Sequence, residues 1–157
     1  MIPAPVGRLA YRAAYALIVA WSFVFRPHTR GVKCLLRHED ELLLVRHSYG
    51  PGTWDLPGGF CKRGEDFEAA ARREVAEELG VEGGRFIDLG EVVRQFQGRH
   101  ETLHGFRVEL DRRAAALQSF ELAEARWFPR DALPDGQAAV IAEIQRLEAG
   151  LPATRQG

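Results

Sequence analysis

The spacing of apolar residues changes several times along the chain, and each change marks an element. Ala13 to Phe25 is almost continuously apolar, with Arg12 before it and Arg26-Pro27 after it, which predicts a helix and then a break. From Gly31 the texture shifts to short apolar runs. Gly31 to His38 and Glu41 to His47 read as strands joined by a tight turn at Glu39-Asp40. Ser48 to Gly52, with its Gly, Pro and Gly, is a loop, and Trp54 to Pro57 is a short extended piece that Pro57 ends. Asp66 to Leu79 is the clearest helix: Phe67, Ala71, Val75 and Leu79 recur every four residues, and Gly80 stands where a helix C-terminal glycine belongs. Phe86 to Gln97 and Leu103 to Leu110 read as strands around a polar turn, Gly98 to Thr102. Ala125 to Phe128 is a further strand, and Pro129 to Leu133 a turn or helical step. Gln137 to Leu147 is an amphipathic helix with Val140, Ile141, Ile144 and Leu147 on one face, and the tail from Gly150 is frayed. Strands, helix, strands, helix means a mixed sheet with helices packed on it.

Composition narrows the class. The chain has 157 residues, 46% hydrophobic and 27% charged, with a net charge of −1, so it forms a folded domain and not a disordered one. With 21 basic residues against 22 acidic there is no surplus for binding nucleic acid through bulk charge. Cys34 and Cys61 are the only cysteines and read as reduced thiols in a cytoplasmic protein. The N-terminal apolar run falls short of the roughly 20 residues a membrane span needs. It also lacks a small-residue cleavage site and the Lys/Arg-rich polar face of a surface-lying helix. It is therefore expected to pack on the domain's flank or against a second subunit, in a homodimer, with a membrane the less favoured partner.

The helix at 66–79 carries the candidate chemistry. Glu74, Glu77 and Glu78 stand at i, i+3 and i+4, which puts their carboxylates on one face. They lie in the last turns, where the helix dipole disfavours negative charge. A divalent cation would relieve that repulsion, and hard oxygen ligands suit Mg²⁺ or Mn²⁺. The plain alternative is a solvated acidic face.

The full spacing decides between them. Gly59, Glu65, Arg73, Glu74, Val75, Glu77, Glu78, Gly80 and Val81 follow the order Gly, five residues, Glu, seven residues, Arg-Glu, an aliphatic, one residue, Glu-Glu, one residue, Gly, an aliphatic. This segment resembles the Nudix box of the Nudix hydrolases at every fixed position. The Leu56 to Gly59 approach and the Glu124 to Trp127 stretch fit as well, so the resemblance runs from about Gly31 to Leu147. It implies an α/β fold, an α/β/α sandwich around a mixed sheet, over residues 31–149, preceded by an extra N-terminal helix and linker (1–30) and followed by a tail (150–157). It also implies hydrolysis of a nucleoside diphosphate linked to another moiety, with a catalytically inactive nucleotide-binding sensor as the alternative. By the resemblance Glu74, Glu77 and Glu78 hold the metal with the Gly58 carbonyl, and Glu65 pairs with Arg73 to orient the site. The general base is Glu74, Glu78 or a downstream glutamate: Glu124 is preferred, Glu121 less so.

Other residues carry weaker expectations. Trp54 reads first as core and second as a base-stacking residue; Phe96 is a pocket candidate. Arg46 and His47 end a strand where they could meet a phosphate. His100 and His104 flank the predicted hairpin turn and read as surface histidines. Beyond the box, Phe96-Gln97-Gly98 stands where ADP-ribose enzymes of the family are expected to show a proline, and the tyrosine of the dinucleoside polyphosphate type, the Ser-Gln-Pro-Trp run of the NADH type and the coenzyme A signature are absent. Nucleoside triphosphates, nucleotide sugars and ADP-ribose all stay open.

Overall fold

Alternation along the first two strands decides the layering. In β1 (His28–His38) Val32, Cys34 and Leu36 face one side and Leu35 the other; in β2 (Glu41–His47) Leu43 and Val45 oppose Leu42 and Leu44. Both faces are apolar, so both must be covered. Helix α1 (Phe67–Leu79) covers the first with Ala70, Ala71, Val75 and Leu79; α2 (Ala139–Gly150) covers the second with Val140, Ile141 and Ile144. With β3 (Arg85–Phe96), β4 (Arg99–Glu109) and β5 (Leu122–Pro129) the sheet has five strands in the order β3-β4-β1-β2-β5. β4 runs parallel to β1 and every other pair is antiparallel. The result is the mixed-sheet α/β/α sandwich that the sequence leads one to expect. The computed structural model describes residues 13–21, 24, 27–113 and 119–150; the tail after Gly150 lies outside them.

One irregularity in the sheet builds the site. β1 and β2 pair only beside their turn, through Arg37↔Leu42 and His38↔Glu41. Beyond that the strands part, and residues 55–61 fill the gap. The amides of Val45 and Asp55 donate to each other's carbonyls at 2.9 and 2.8 Å. Val32 N–H donates to Gly59, Cys34 N–H to Pro57 and Cys61 N–H to Arg30, each at 2.9 Å. Pro57 is tolerated because only its carbonyl is used. Gly58 is obligatory: its φ is 135°, and a Cβ there would sit 2.2 Å from the Val32 carbonyl oxygen. The starts of β1, β4 and β5 and the ends of β2 and β3 meet at this same end of the sheet.

Several boundaries differ from the sequence reading. The expected turn from Gly98 to Thr102 is only Gln97-Gly98, with φ of 47° and 78°; two positive-φ residues suffice to reverse a twisted hairpin, and Arg99 to Thr102 join β4. β1 begins at His28 instead of Gly31 because β4 supplies it a parallel ladder from His28↔His100 onward. β5 starts at Leu122, paired with His47 across a register shift. α1 starts where the sequence places it: the Asp66 carboxylate accepts from Ala69 N–H at 3.0 Å, and Gly80 closes the helix at φ 65°.

Residues 13–21 are helical, and Leu17 and Val24 are 72% and 74% exposed, so the domain's own flank does not cover that side of the N-terminal segment. No helix among the described residues is long and apolar enough to cross a membrane. Cys34 and Cys61 are free thiols.

Candidate active site

The acidic side of α1 is organised by one cation, Arg73. Its Nε and Nη2 donate to the two oxygens of Glu65, both at 2.9 Å, and Nη2 also donates to the Phe60 carbonyl at 3.0 Å. Its Nη1 donates to Glu74 at 2.7 Å and to Glu77 at 3.3 Å. Glu65 in turn accepts from Lys62 N–H at 2.8 Å, and these bonds, Arg73's first, hold its carboxyl down to about 2. The repulsion expected among the helix glutamates is thus partly met by an arginine of the same helix.

The glutamates are not equivalent. Glu78 is 3% exposed and accepts from Gly58 N–H at 3.0 Å. Burial pushes its carboxyl up to about 8, against the pull of that N–H and of Lys33. Glu74 is also pushed up by burial, although Arg73 opposes the shift. Glu77 keeps 58% of its side chain exposed. Gly59 is the cradle: a Cβ on it would meet the Glu74 carboxylate at 2.7 Å.

The structure therefore brings Gly58, Gly59, Glu65, Arg73, Glu74 and Glu78 together and leaves Glu77 at the rim. Among the described residues no three acidic, His or Cys side chains converge as a ready-made metal cage. Arg73 draws Glu74 and Glu77, while Glu78 is turned to the Gly58 amide; it is the N–H of Gly58, not its carbonyl, that the structure shows engaged. The donor set still fits a hard divalent cation. It is all oxygen, and two of its carboxylates are desolvated without a full share of positive charge.

The two downstream glutamates stand in different surroundings. Glu124 pairs with Arg46 at 3.6 Å and Arg126 at 3.9 Å, with 39% of its side chain exposed, in the β2–β5 register Arg46↔Glu124. It is a rim charge. Glu121 lies just before β5, and its charge helps raise both Glu74 and Glu78. A bulge at Arg46/His47 separates the two environments, and no periodicity in the sequence shows it.

The remaining candidates sort by position. Trp54 is core, 4% exposed, edge-on to Phe128 with the Arg46 guanidinium 4.3 Å from its ring centre. Phe96 is 40% exposed at the end of the edge strand β3, under Arg94. His100 is exposed, but His104 is not a surface histidine: it stacks between Phe67 and Phe106 and meets Asp88 at 2.6 Å, because β4 turns it toward α1.

His47 belongs to a network that sequence reasoning missed. Its Nε2 lies 3.8 Å from Asp55, whose Oδ2 also accepts from Lys33 Nζ at 2.8 Å; Lys33 donates further to the Leu56 carbonyl at 3.0 Å. Burial works against the Asp55 charge, but Lys33 and His47 outweigh it and hold the carboxyl well below the usual range. Tyr49 stacks on His47 at 5.1 Å, and burial together with Glu121 and Glu78 raises its phenol. Only the strand alternation at Lys33, a lone lysine in an apolar run, hints at this network.

Comparison with known proteins places the fold in a family. The family model of the NUDIX domain matches residues 27–146. The NAD-capped RNA hydrolase NudC of Pseudomonas aeruginosa is 36% identical over 101 residues, 64% of this chain and 36% of that protein. The putative mutator protein MutT4 of Mycobacterium tuberculosis is 36% identical over 85 residues, 52% of this chain and 34% of that protein. This chain thus spans about a third of the length of these curated relatives. The MutT NUDIX hydrolase of Burkholderia pseudomallei superposes with a TM-score of 0.70 at 24% identity, covering 79% of this chain and 98% of that one. The NUDIX domain of Shewanella oneidensis NrtR, solved with ADP ribose, superposes at 0.66 and 23% identity over 80% of this chain and 90% of that one. With its box complete and its sandwich matched, the chain belongs to the Nudix family.

Proposed function

We propose that the protein hydrolyses a diphosphate bond in a nucleoside diphosphate derivative, with Mg²⁺ or Mn²⁺ as cofactor. The observation that carries this is the desolvated pair Glu74 and Glu78, held against Gly58 and Gly59 and left short of positive charge. Glu74, Glu77, Glu78 and the Gly58 carbonyl would hold the cation, which neutralises the diphosphate and polarises the phosphoryl oxygen under attack. Arg73 keeps Glu74 in place and, with Glu65, fixes the start of α1 against Phe60. A carboxylate takes the proton of the attacking water. Glu121 is the better downstream base, because it stands within electrostatic reach of both helix glutamates while Glu124 is occupied by arginines. Glu74 and Glu78 remain the alternatives on the helix.

The substrate reading stays at the class level. The relative of Pseudomonas aeruginosa acts on NAD-capped RNA and the Shewanella oneidensis domain binds ADP ribose. Both ligands contain a diphosphate bridge, and this chain lacks the Ser-Gln-Pro-Trp run of the NADH type. The test is turnover in ¹⁸O-water with a nucleoside triphosphate, a nucleotide sugar and ADP-ribose. One label in a phosphate-bearing product is expected. Label only in a sugar hydroxyl would move attack to carbon and refute the reading.

A further inference from the structure

Arg99 opens β4 at the site end of the sheet and is the one arginine among the described residues that is buried, at 6% exposure. Its Nε is buried without a hydrogen-bond partner, and among the described residues its side chain makes one hydrogen bond, from Nη2 to Gln97 Oε1 at 3.3 Å. Every Asp and Glu of the chain falls among the described residues, and none forms an ion pair with it. Less buried arginines are better served: Arg73 has Glu65, Glu74 and Glu77, and Arg94 has Glu101 and Glu143. A buried guanidinium with no counter-charge is costly unless an anion arrives to meet it. A phosphate suits its fork of donors.

The surroundings say which anion. The Arg99 guanidinium lies 5.2 Å from the ring centre of Phe60. Phe60 follows Gly59, the cradle of Glu74, and its carbonyl is held by Arg73. Phe60 therefore adjoins both the acidic cluster, through its carbonyl, and the Arg99 guanidinium, through its ring. Phe60 is 49% exposed, so the ring that faces the Arg99 guanidinium lies at the surface, where side chains change rotamer readily.

Gln97, which faces Arg99, is held from outside the family domain. The Tyr15 hydroxyl donates to Gln97 Oε1 at 2.9 Å and accepts from Nε2 at 2.6 Å. The Tyr15 ring also lies 4.9 Å from that of Tyr49 and within 3.5 Å of where a Cβ on Gly50 would stand. Tyr15 thus ties the loop after β2 to the β3–β4 turn across the rim of the site, although the family match begins only at residue 27.

We propose that Arg99 binds a phosphate of the substrate remote from the carboxylate cluster, and that Tyr15 is a positioning residue that holds it through Gln97. The assignment rests on the diphosphate reading and adds that the N-terminal helix is part of the substrate site. Inorganic pyrophosphate is the probe, titrated calorimetrically into the full chain in Mg²⁺. Arg99→Gln weakens binding about tenfold or more, as loss of a charged hydrogen bond should, and Arg99→Lys recovers part of it. Without pyrophosphate Arg99→Gln melts at the wild-type temperature or above, because a buried unpaired charge has gone. Tyr15→Phe, which keeps the ring on Tyr49, weakens binding about fivefold, the worth of one hydrogen bond, and raises KM at constant kcat. Pyrophosphate binding by Arg99→Gln or by Tyr15→Phe equal to wild type overturns the proposal, as does an Arg99→Gln protein that melts well below wild type while Arg99→Lys binds normally. A wild-type chain that binds no pyrophosphate also overturns it. If that chain still turns over diphosphate substrates, the diphosphate reading survives; if it turns over none, both fall.

Discussion

Glu78 shows what a single residue contributes. Buried at 3% exposure and pushed up to about 8, it is largely protonated at neutral pH when no cation is bound. Its folded value lies above its unfolded one, so between about pH 4.5 and 8 the folded state holds the extra proton. The chelated protein should therefore lose stability as pH rises through that window, and Glu78→Gln should flatten the loss. Thermal melts in chelator from pH 5 to 8.5 check this; a wild-type melting temperature that climbs across the range would contradict it. With Mg²⁺ the same substitution should cost about 10² or more in kcat, as loss of a ligand to a Lewis acid does. Glu121→Gln should also lower kcat by about 10² and Glu124→Gln by less than about threefold, since general bases contribute at that scale and rim charges do not. Parallel kcat measurements decide it, and the reverse order would restore Glu124 as base. The acidic face and the Glu65–Arg73 pair were legible from spacing. The proposed preference for Glu121 over Glu124 was not, because it rests on a bulge that makes a three-residue separation span two environments.

Among the elements, the glycine-bearing segment at 55–61, held by isolated bridges, does the most for the site. It enters the split between β1 and β2 and brings backbone to the buried Glu78 and the partly buried Glu74. Gly58→Ala is expected to destabilise by several kcal/mol, since its Cβ would meet a carbonyl at 2.2 Å and its φ of 135° strains an L-residue. Gly59→Ala meets only the movable carboxylate of Glu74, so it should fold with a smaller loss of stability but lose activity. Urea denaturation beside kcat separates the two; equal stability loss for both would refute the distinction. The helix was readable from a four-residue apolar repeat between Asp66 and Gly80. The strand insertion was not, because backbone pairing across a split sheet leaves no period in the side chains. The hairpin turn was overestimated for a related reason: Arg99 to Thr102 are polar, yet β4 buries Arg99 and Glu101.

Across the whole molecule, largely buried ion pairs tie the sheet to its neighbours: Arg37 with Glu148 beside the β1–β2 turn, and Lys33 with Asp55 further along β1. Lys33 and Asp55, with 11% and 18% of their side chains exposed, tie β1 to the inserted segment. Asp55→Ala would strand the Lys33 ammonium and should cost about 3–5 kcal/mol, measured by denaturant melts. Because Asp55 titrates below its unfolded value, the pair's contribution is present above about pH 4 and is lost as pH falls further. The sequence showed two apolar sheet faces and two covering helices, which is why the sandwich was legible. It could not show what the N-terminal segment covers. Tyr15 bonds Gln97 in the β3–β4 turn, while Leu17 and Val24 stay exposed, and the proposed homodimer would bury them. Light scattering on the full chain should give twice the monomer mass; a monomer would remove that proposal.

The central claim is that the Nudix box here performs cation-dependent diphosphate hydrolysis. The most direct measurement is product release from a panel of nucleoside triphosphates, nucleotide sugars and ADP-ribose, for wild type and Glu78→Gln, in Mg²⁺, in Mn²⁺ and in chelator. Wild type is expected to turn over at least one panel member with either cation, with activity abolished by chelator and reduced about 10² or more by Glu78→Gln. Binding of a nucleotide without turnover under any of these conditions would contradict it and leave a nucleotide sensor.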